Sequence, residues 1–294
     1  MEIVTHTDTD GVISAVIALQ KIKTKNIYFS SPFLLRYTLS EIMKTTDFKE
    51  LYIFDISPSG IAVKLATLFD KVVWIDHHET ELDSYPNNFD VVIKKSPSAA
   101  RLVAEYFDVD TPLVEIADEV DTNQVKSEQA AWIRDYIAAL KFNFKGQVLG
   151  KALKNLVFML SKEGIDGLMA NETVSLLVKN YREWLGSQKK KIKEYLTVEE
   201  IKGKKIALVR LPVGLPTYAV VEELAKLDDA PFDLIVSATE KNGFVHMEFR
   251  THTGFKVLDL ARRFGGGGHE VAAGATIRSG IDLAAEIRDF FGCE

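Results

Sequence analysis

The sequence predicts an α/β protein in three parts: a mostly parallel-sheet N-terminal domain (1–125), a helical connecting region (126–200) and a smaller α/β C-terminal domain (201–294). Three observations predict this. Short apolar runs alternate with amphipathic stretches over the first hundred residues. The stretch from about Ala130 to Leu196 reads as helix and contains no Pro, and a second alternation begins near Lys204. Strands that alternate with helices favour a parallel sheet with helices on its faces.

In the first part, Ile3-Val4-Thr5, Ile27-Tyr28-Phe29, Leu51-Tyr52-Ile53-Phe54, Val72-Val73-Trp74-Ile75 and Val91-Val92-Ile93 are rich in β-branched and aromatic residues and read as strands. Segments beginning near Gly11, Leu39, Ser59 and Ser98 read as helices. In the middle, Lys189-Lys190-Lys191-Ile192-Lys193 lies on a helix whose charged face is read as solvated, with phosphate steering as the sharper alternative. In the last part, Ile206–Val209, Leu234–Val236 and Val245–Phe249 read as strands, and Tyr218–Leu227, Val257–Phe264 and Leu283–Phe291 as helices. The run Gly265-Gly266-Gly267-Gly268 interrupts that pattern.

Composition narrows the function classes. Nearly half the residues are hydrophobic, as expected of a globular chain with a core, and no apolar run approaches the ~20 residues that span a bilayer. The start, Met1-Glu2-Ile3-Val4-Thr5, lacks the basic and apolar segments of a signal peptide, so a cytoplasmic location is expected. Cys293 is the only cysteine, which rules out an internal disulfide and a cysteine-based metal cluster. The net charge of −6 argues against a protein that coats long duplex nucleic acid, and leaves room for a small anionic substrate gripped locally.

Four clusters carry chemistry. His6-Thr7-Asp8-Thr9-Asp10-Gly11 follows the first strand, and alternate residues of an extended segment share a side, so His6, Asp8 and Asp10 can converge. Asp10 could instead cap the next helix. Asp55 ends the third strand, and Asp76-His77-His78 ends the fourth. Asp118 and Asp121 lie near the end of a helix, and only one of them need be functional. The first three clusters fall at strand ends, on the one edge of a parallel sheet where such folds place their sites. So many carboxylates without a compensating cation repel one another unless metal ions bind among them. A pair of divalent ions suits phosphoester hydrolysis, and mixed oxygen and nitrogen ligands favour Mn, Fe or Co over Mg, with Zn also compatible. The glycine run reads as backbone amides able to line an anion-binding concavity, or as a flexible turn. His269 and Arg250 could contact a phosphate or a base.

The triplet Asp76-His77-His78, together with Gly265-Gly266-Gly267-Gly268-His269-Glu270-Val271-Ala272-Ala273-Gly274 in the expected order, resembles the DHH phosphoesterase superfamily and its associated C-terminal domain. The resemblance implies two divalent ions, Mn in the first place, with Mg or Co as alternatives. His6, Asp8 and Asp55 would hold one ion, and Asp10, Asp55, His77 and Asp121 the other, with Asp55 as the bridge. His78 would face the substrate phosphate, and Asp76 would orient a neighbouring imidazole. The second domain, through Gly266, Gly267, Gly268, His269 and Arg250, would grip the nucleotide across a cleft from the metals. Only Thr7 separates His6 from Asp8, where several family members have three residues. Asp121 followed by Thr122 looks more like the family pattern than Asp118 does.

The expected activity is hydrolysis of short oligoribonucleotides, DNA oligonucleotides or linear or cyclic dinucleotides, with a homodimer as a further expectation. The alternatives are a 3′-phosphoadenosine 5′-phosphate phosphatase and a non-catalytic nucleotide-binding module. The processive exonucleases of the family carry additional domains around the same core, and this chain shows no oligonucleotide-binding barrel, which favours short substrates.

Overall fold

The computed structural model describes residues 1–292 apart from Glu79, Glu81, Asp83 and Val213, so Cys293 lies outside the described residues. The chain divides into two compact units between Tyr181 and Arg182.

In the first unit, β1 (Glu2–His6), β2 (Ile27–Ser30), β3 (Glu50–Phe54), β4 (Lys71–Asp76) and β5 (Phe89–Ile93) form an all-parallel sheet in the order β2-β1-β3-β4-β5. Alternate residues feed two cores. Ile3, Tyr52, Phe54, Val73 and Ile75 pack beneath α1 (Thr9–Ala18), α4 (Ala99–Phe107), α5 (Leu113–Asp121), α6 (Glu128–Asn143) and α7 (Gly146–Ala170). Val4, Leu51, Ile53, Val72 and Trp74 pack beneath α2 (Leu35–Ile42) and α3 (Gly60–Ala66). With both faces covered, β3 and β4 are apolar at successive positions rather than alternately, which is why they stood out in the sequence. Side chains of Asp8, Ser59, Ser98 and Ser127 cap α1, α3, α4 and α6 by accepting from backbone amides of the first turn.

The strand order turns back between β1 and β3, which makes that position a topological switch point. Every residue of α1 is buried there, so this helix is apolar all round rather than amphipathic. Much of the helical middle packs onto it: Ala130, Trp132, Ile133, Tyr136 and Ile137 of α6, and Leu153, Leu156, Val157 and Leu160 of α7, share a core with Ile13, Val16 and Ile17. The next helix, α8 (Glu172–Lys189), spans the division between the units.

The second unit holds a six-stranded sheet in the order β10-β11-β9-β8-β7-β6, built from β6 (Leu196–Ile201), β7 (Lys204–Leu211), β8 (Leu234–Lys241), β9 (Phe244–Arg250), β10 (Gly267–His269) and β11 (Ala272–Arg278). Only β7 and β8 pair in parallel, with the helix α9 (Thr217–Leu224) between them in sequence. One face packs against α10 (Leu258–Arg263) and α11 (Leu283–Phe290), the other against α9. The α/β class is as expected, but the sequence reading did not resolve β6, β10 and β11. The small residues of Ala272-Ala273-Gly274-Ala275 carry little strand propensity. No helix among the described residues is long and apolar enough to cross a membrane.

Candidate metal centre

β1 ends at His6, and the chain turns into α1 within two residues. The turn needs Gly11, because a Cβ there would lie 2.4 Å from the His6 carbonyl oxygen and 2.7 Å from the His6 carbonyl carbon and amide nitrogen. Thr5 Oγ1 locks the junction by donating to the Gly11 carbonyl at 2.7 Å. Asp8, rather than Asp10, caps α1: its Oδ1 accepts from Gly11 N at 3.1 Å, while Oδ2 lies 2.6 Å from His6 Nδ1. The single-residue spacing of His6 and Asp8 therefore brings both side chains together.

Asp10 is buried and takes the first two amides of α4, from Ala99 at 2.6 Å and Ala100 at 2.7 Å. Asp55 follows β3 with φ +56°, a left-handed backbone that is uncommon for a residue with a Cβ, and it is buried. Such strain concentrates at functional sites. At the end of β4, Asp76 Oδ1 accepts from His78 Nδ1 at 2.8 Å. His77 Nδ1 lies 3.1 Å from the carbonyl of Ser96. A carbonyl can only accept, so Nδ1 carries the proton and Nε2 presents its lone pair. That lone pair faces Asp10 Oδ2 at 3.6 Å, Asp55 Oδ1 at 3.7 Å and Asp121 Oδ2 at 3.5 Å.

Those separations are too long for hydrogen bonds and short enough for several atoms to share one cation. In the first unit, three sets among the described residues gather their ligand atoms in this way: His6, Asp8 and Asp55; Asp10, His77 and Asp121; and Asp55, Asp76, His77 and His78. Asp55 reaches towards the first two, since Oδ2 is 3.7 Å from His6 and Oδ1 is 3.7 Å from His77. The residues fit divalent ions on a further ground. Asp55 Oδ2 and Asp76 Oδ2 are buried acceptors without a hydrogen-bond partner among the described residues, a condition that costs ~1–3 kcal/mol per group if nothing fills it.

Electrostatics agree with that reading. Burial, and then the neighbouring carboxylates, push the Asp10 and Asp55 carboxyls well above the usual range. Burial likewise moves Asp121 up to about 6, with the neighbouring His77 opposing. Burial also raises Asp8, but the His6 imidazole and the Lys141 ammonium outweigh it and bring that carboxyl down. Lys141 comes from α6, and no pattern in the sequence singled it out. Burial lowers His78, but its bond to Asp76 and the surrounding carboxylates more than offset this, so its imidazole holds a proton more strongly than usual.

The structure separates the two candidate aspartates of α5. Asp121 faces His77, whereas Asp118 accepts from Ser98 Oγ at 2.5 Å and from Arg101 Nε at 2.8 Å, with a second Arg101 contact through Nη2. In the second unit, Arg250 bonds within its own sheet: Nη1 donates to the carbonyls of Phe249 and Ala273, and Nη2 to Glu248 Oε2 at 2.9 Å. The glycine run forms the end of α10 and the hairpin of β10 with β11. Gly265 has φ +71°. A Cβ on Gly266 would lie 2.0 Å from the Gly274 carbonyl oxygen, and one on Gly268 2.6 Å from that of Ala272. Gly265 and Gly267 both face open space, and Gly267, which lacks the positive φ of Gly265, is the one that the fold does not require to be glycine. His269 closes the hairpin opposite Ala272.

These carboxylate and imidazole sets gather at the switch point of a parallel sheet, where such folds place their sites. Residues 217–291 match the DHHA1 domain family. The fold is similar to that of the pGpG-specific phosphodiesterase PggH from Vibrio cholerae, with a TM-score of 0.62 and 17% identity over 99% of this chain and 97% of that one. It is similar to the DHH domain of a member of the s1p family of ribosomal proteins, at a TM-score of 0.68 and 14% identity over 99% and 86% of the two chains. Exonuclease RecJ bound to manganese matches at a TM-score of 0.56 and 13% identity, over 99% of this chain and 89% of that one. No curated protein sequence matches the chain. The last part of the chain thus matches the DHHA1 domain, and the chain shares its fold with these structures.

Proposed function

We propose that this protein is a Mn-dependent phosphodiesterase of the cytoplasm that hydrolyses short nucleotides, such as short oligoribonucleotides and linear or cyclic dinucleotides, at a two-metal site. The observation that carries the proposal is the His77 Nε2 lone pair aimed at three carboxylates. His6, Asp8 and Asp55 would hold one ion, and Asp10, Asp55, His77 and Asp121 the other. When bound, the ions neutralise phosphoryl charge and make hydroxide available near neutral pH.

The protein's own groups do the rest. The Ser96 carbonyl fixes the His77 tautomer, and the α4 amides hold Asp10 in place. Asp76, fully buried, orients His78 and favours its protonated form, whose Nε2–H can donate to a phosphoryl oxygen as negative charge develops. Gly266, Gly267, Gly268, His269 and Arg250 of the second domain are assigned to the nucleotide, with Gly267 the position left open for a close-lying ligand. A pGpG-specific phosphodiesterase among the similar structures supports a short substrate.

The test is a substrate panel on chelated protein with and without added Mn, with products read by chromatography. Mn-dependent release of mononucleotides from dinucleotides is expected. Full-rate hydrolysis by metal-free protein, or inorganic phosphate released only from 3′-phosphoadenosine 5′-phosphate, would contradict the proposal. His78→Ala is expected to retain both metals while kcat falls ~10²–10³-fold, as for loss of one donor to a developing oxyanion. Loss of a metal equivalent in that variant would make His78 a ligand instead.

A further inference from the structure

β2 pairs with β1 so that Ser30 lies opposite His6, which brings the chain after Ser30 to the sheet edge that carries the metal ligands. There, Phe33 is 71% exposed, Leu34 49% and Tyr37 53%. The segment is anchored: Leu35 and Leu39 are fully buried, Ser30 Oγ bonds Thr38 Oγ1 at 2.8 Å, and the Ser31 carbonyl accepts from Leu34 N and Leu35 N at 3.0 and 2.9 Å. Arg36 lies between the two rings, its Cζ 5.3 Å from the Phe33 centroid and 4.6 Å from that of Tyr37. Its Nη2 donates to Tyr37 Oη at 2.9 Å, and its Nε has no hydrogen-bond partner. No carboxylate pairs with Arg36 among the described residues.

Exposed apolar side chains clustered in one patch, unlike those scattered singly, mark interaction sites. A guanidinium held over them without a counter-ion offers a planar fork for phosphate beside π-faces for a base. We propose that Phe33, Arg36 and Tyr37 form a nucleotide platform: a base of the substrate stacks on the rings, and Arg36 binds the phosphate of that nucleotide while the neighbouring phosphodiester lies at the metal site. This rests on the phosphodiesterase reading and narrows its substrate class to single-stranded nucleotides at least two residues long. Stacking is sequence-tolerant because every base has a π-face. A second copy of the chain is the poorer occupant, since three side chains fall far short of the ~800 Å² per partner of a stable interface.

The experiment uses the full chain with Mn and two substrates, a linear ribodinucleotide and the same compound lacking one base. Phe33→Ala, Tyr37→Ala and Arg36→Gln are each expected to raise KM for the complete dinucleotide ~10-fold or more, with kcat within about 2-fold; the two ring variants are expected to erase the preference for it over the abasic analogue, and Arg36→Gln to weaken both substrates alike. Tyr37→Phe is expected to retain most of the affinity, because the ring remains. Leu68→Ala is the control: Leu68 is 59% exposed and precedes β4, at the opposite sheet edge, and its kinetics are expected to match wild type. Unchanged KM in Phe33→Ala and Arg36→Gln, with wild type active on the dinucleotide, overturns the platform alone. Wild type that leaves every dinucleotide intact overturns the phosphodiesterase reading and the platform with it. A sedimenting mass that falls on Phe33→Ala assigns the patch to a subunit interface and also overturns the proposal.

Discussion

Asp55→Asn is expected to abolish turnover, by at least ~10³-fold, while making the metal-free protein more stable. The amide keeps the size of the side chain, and Asn tolerates the left-handed backbone that Asp55 adopts at φ +56°, so the fold should persist. What is lost is the carboxylate that lies 3.7 Å from His6 on one side and 3.7 Å from His77 on the other. His6→Ala should do less harm, since His6 belongs to one set only. What is gained is relief of a buried charge crowded by Asp8, Asp10, Asp121 and Asp76. The variant is therefore expected to melt above wild type at neutral pH without metal.

Wild type should show the same conflict as a pH dependence. Asp10, Asp55 and Asp121 keep protons in the folded chain at pH values where the unfolded chain has released them. Stability from such groups is fully present below the unfolded value of 3.8 and is lost as pH rises, for Asp121 through about 6. Saturating Mn should reverse the loss by adding binding energy to the folded state alone. Thermal melts with chelator and with Mn, beside metal analysis, provide the check. An Asp55→Asn protein that keeps two metal equivalents refutes the bridge, and one that melts below wild type in chelator refutes the repulsion argument.

Gly11→Ala is expected to cost about 3 kcal/mol, at the upper end of what overpacking costs, which for a chain of this size lowers Tm by roughly 6–12 °C. The added methyl would meet three backbone atoms of His6 at 2.4–2.7 Å, and backbone cannot rotate out of the way as a side chain can. Nor can α1 retreat, because every one of its residues is buried. The helix propensity of Ala, ~1 kcal/mol better than Gly, does not offset this. Gly60→Ala provides the contrast: a Cβ there meets nothing within 4 Å, and its melting temperature should stay close to that of wild type. Calorimetry on both variants decides the matter. If Gly11→Ala melts within a degree or two of wild type, the close approach of α1 to β1 is more yielding than described.

By itself, the sequence determined what local rules encode. Apolar runs named all five strands of the first sheet, and Ser59 and Ser98 marked helix starts because a side-chain cap and the amides it serves lie three residues apart. Carboxylates and imidazoles placed at strand ends were bound to meet on one edge, since parallel strands share a direction. Relations between residues far apart in the chain had no such signature, and only the tertiary structure decided them. Asp10 lies 89 and 90 residues from the amides that hold it, and Lys141 reaches Asp8 from a helix read as connecting region. Asp118 and Asp121 sit one turn apart on α5, and their different partners, Arg101 and His77, depend on how that helix packs against α4 and the sheet. The glycine run is a further case. Which of its members are bare for steric reasons became visible only once β11 lay against β10, because a clash is a property of two segments and not of one.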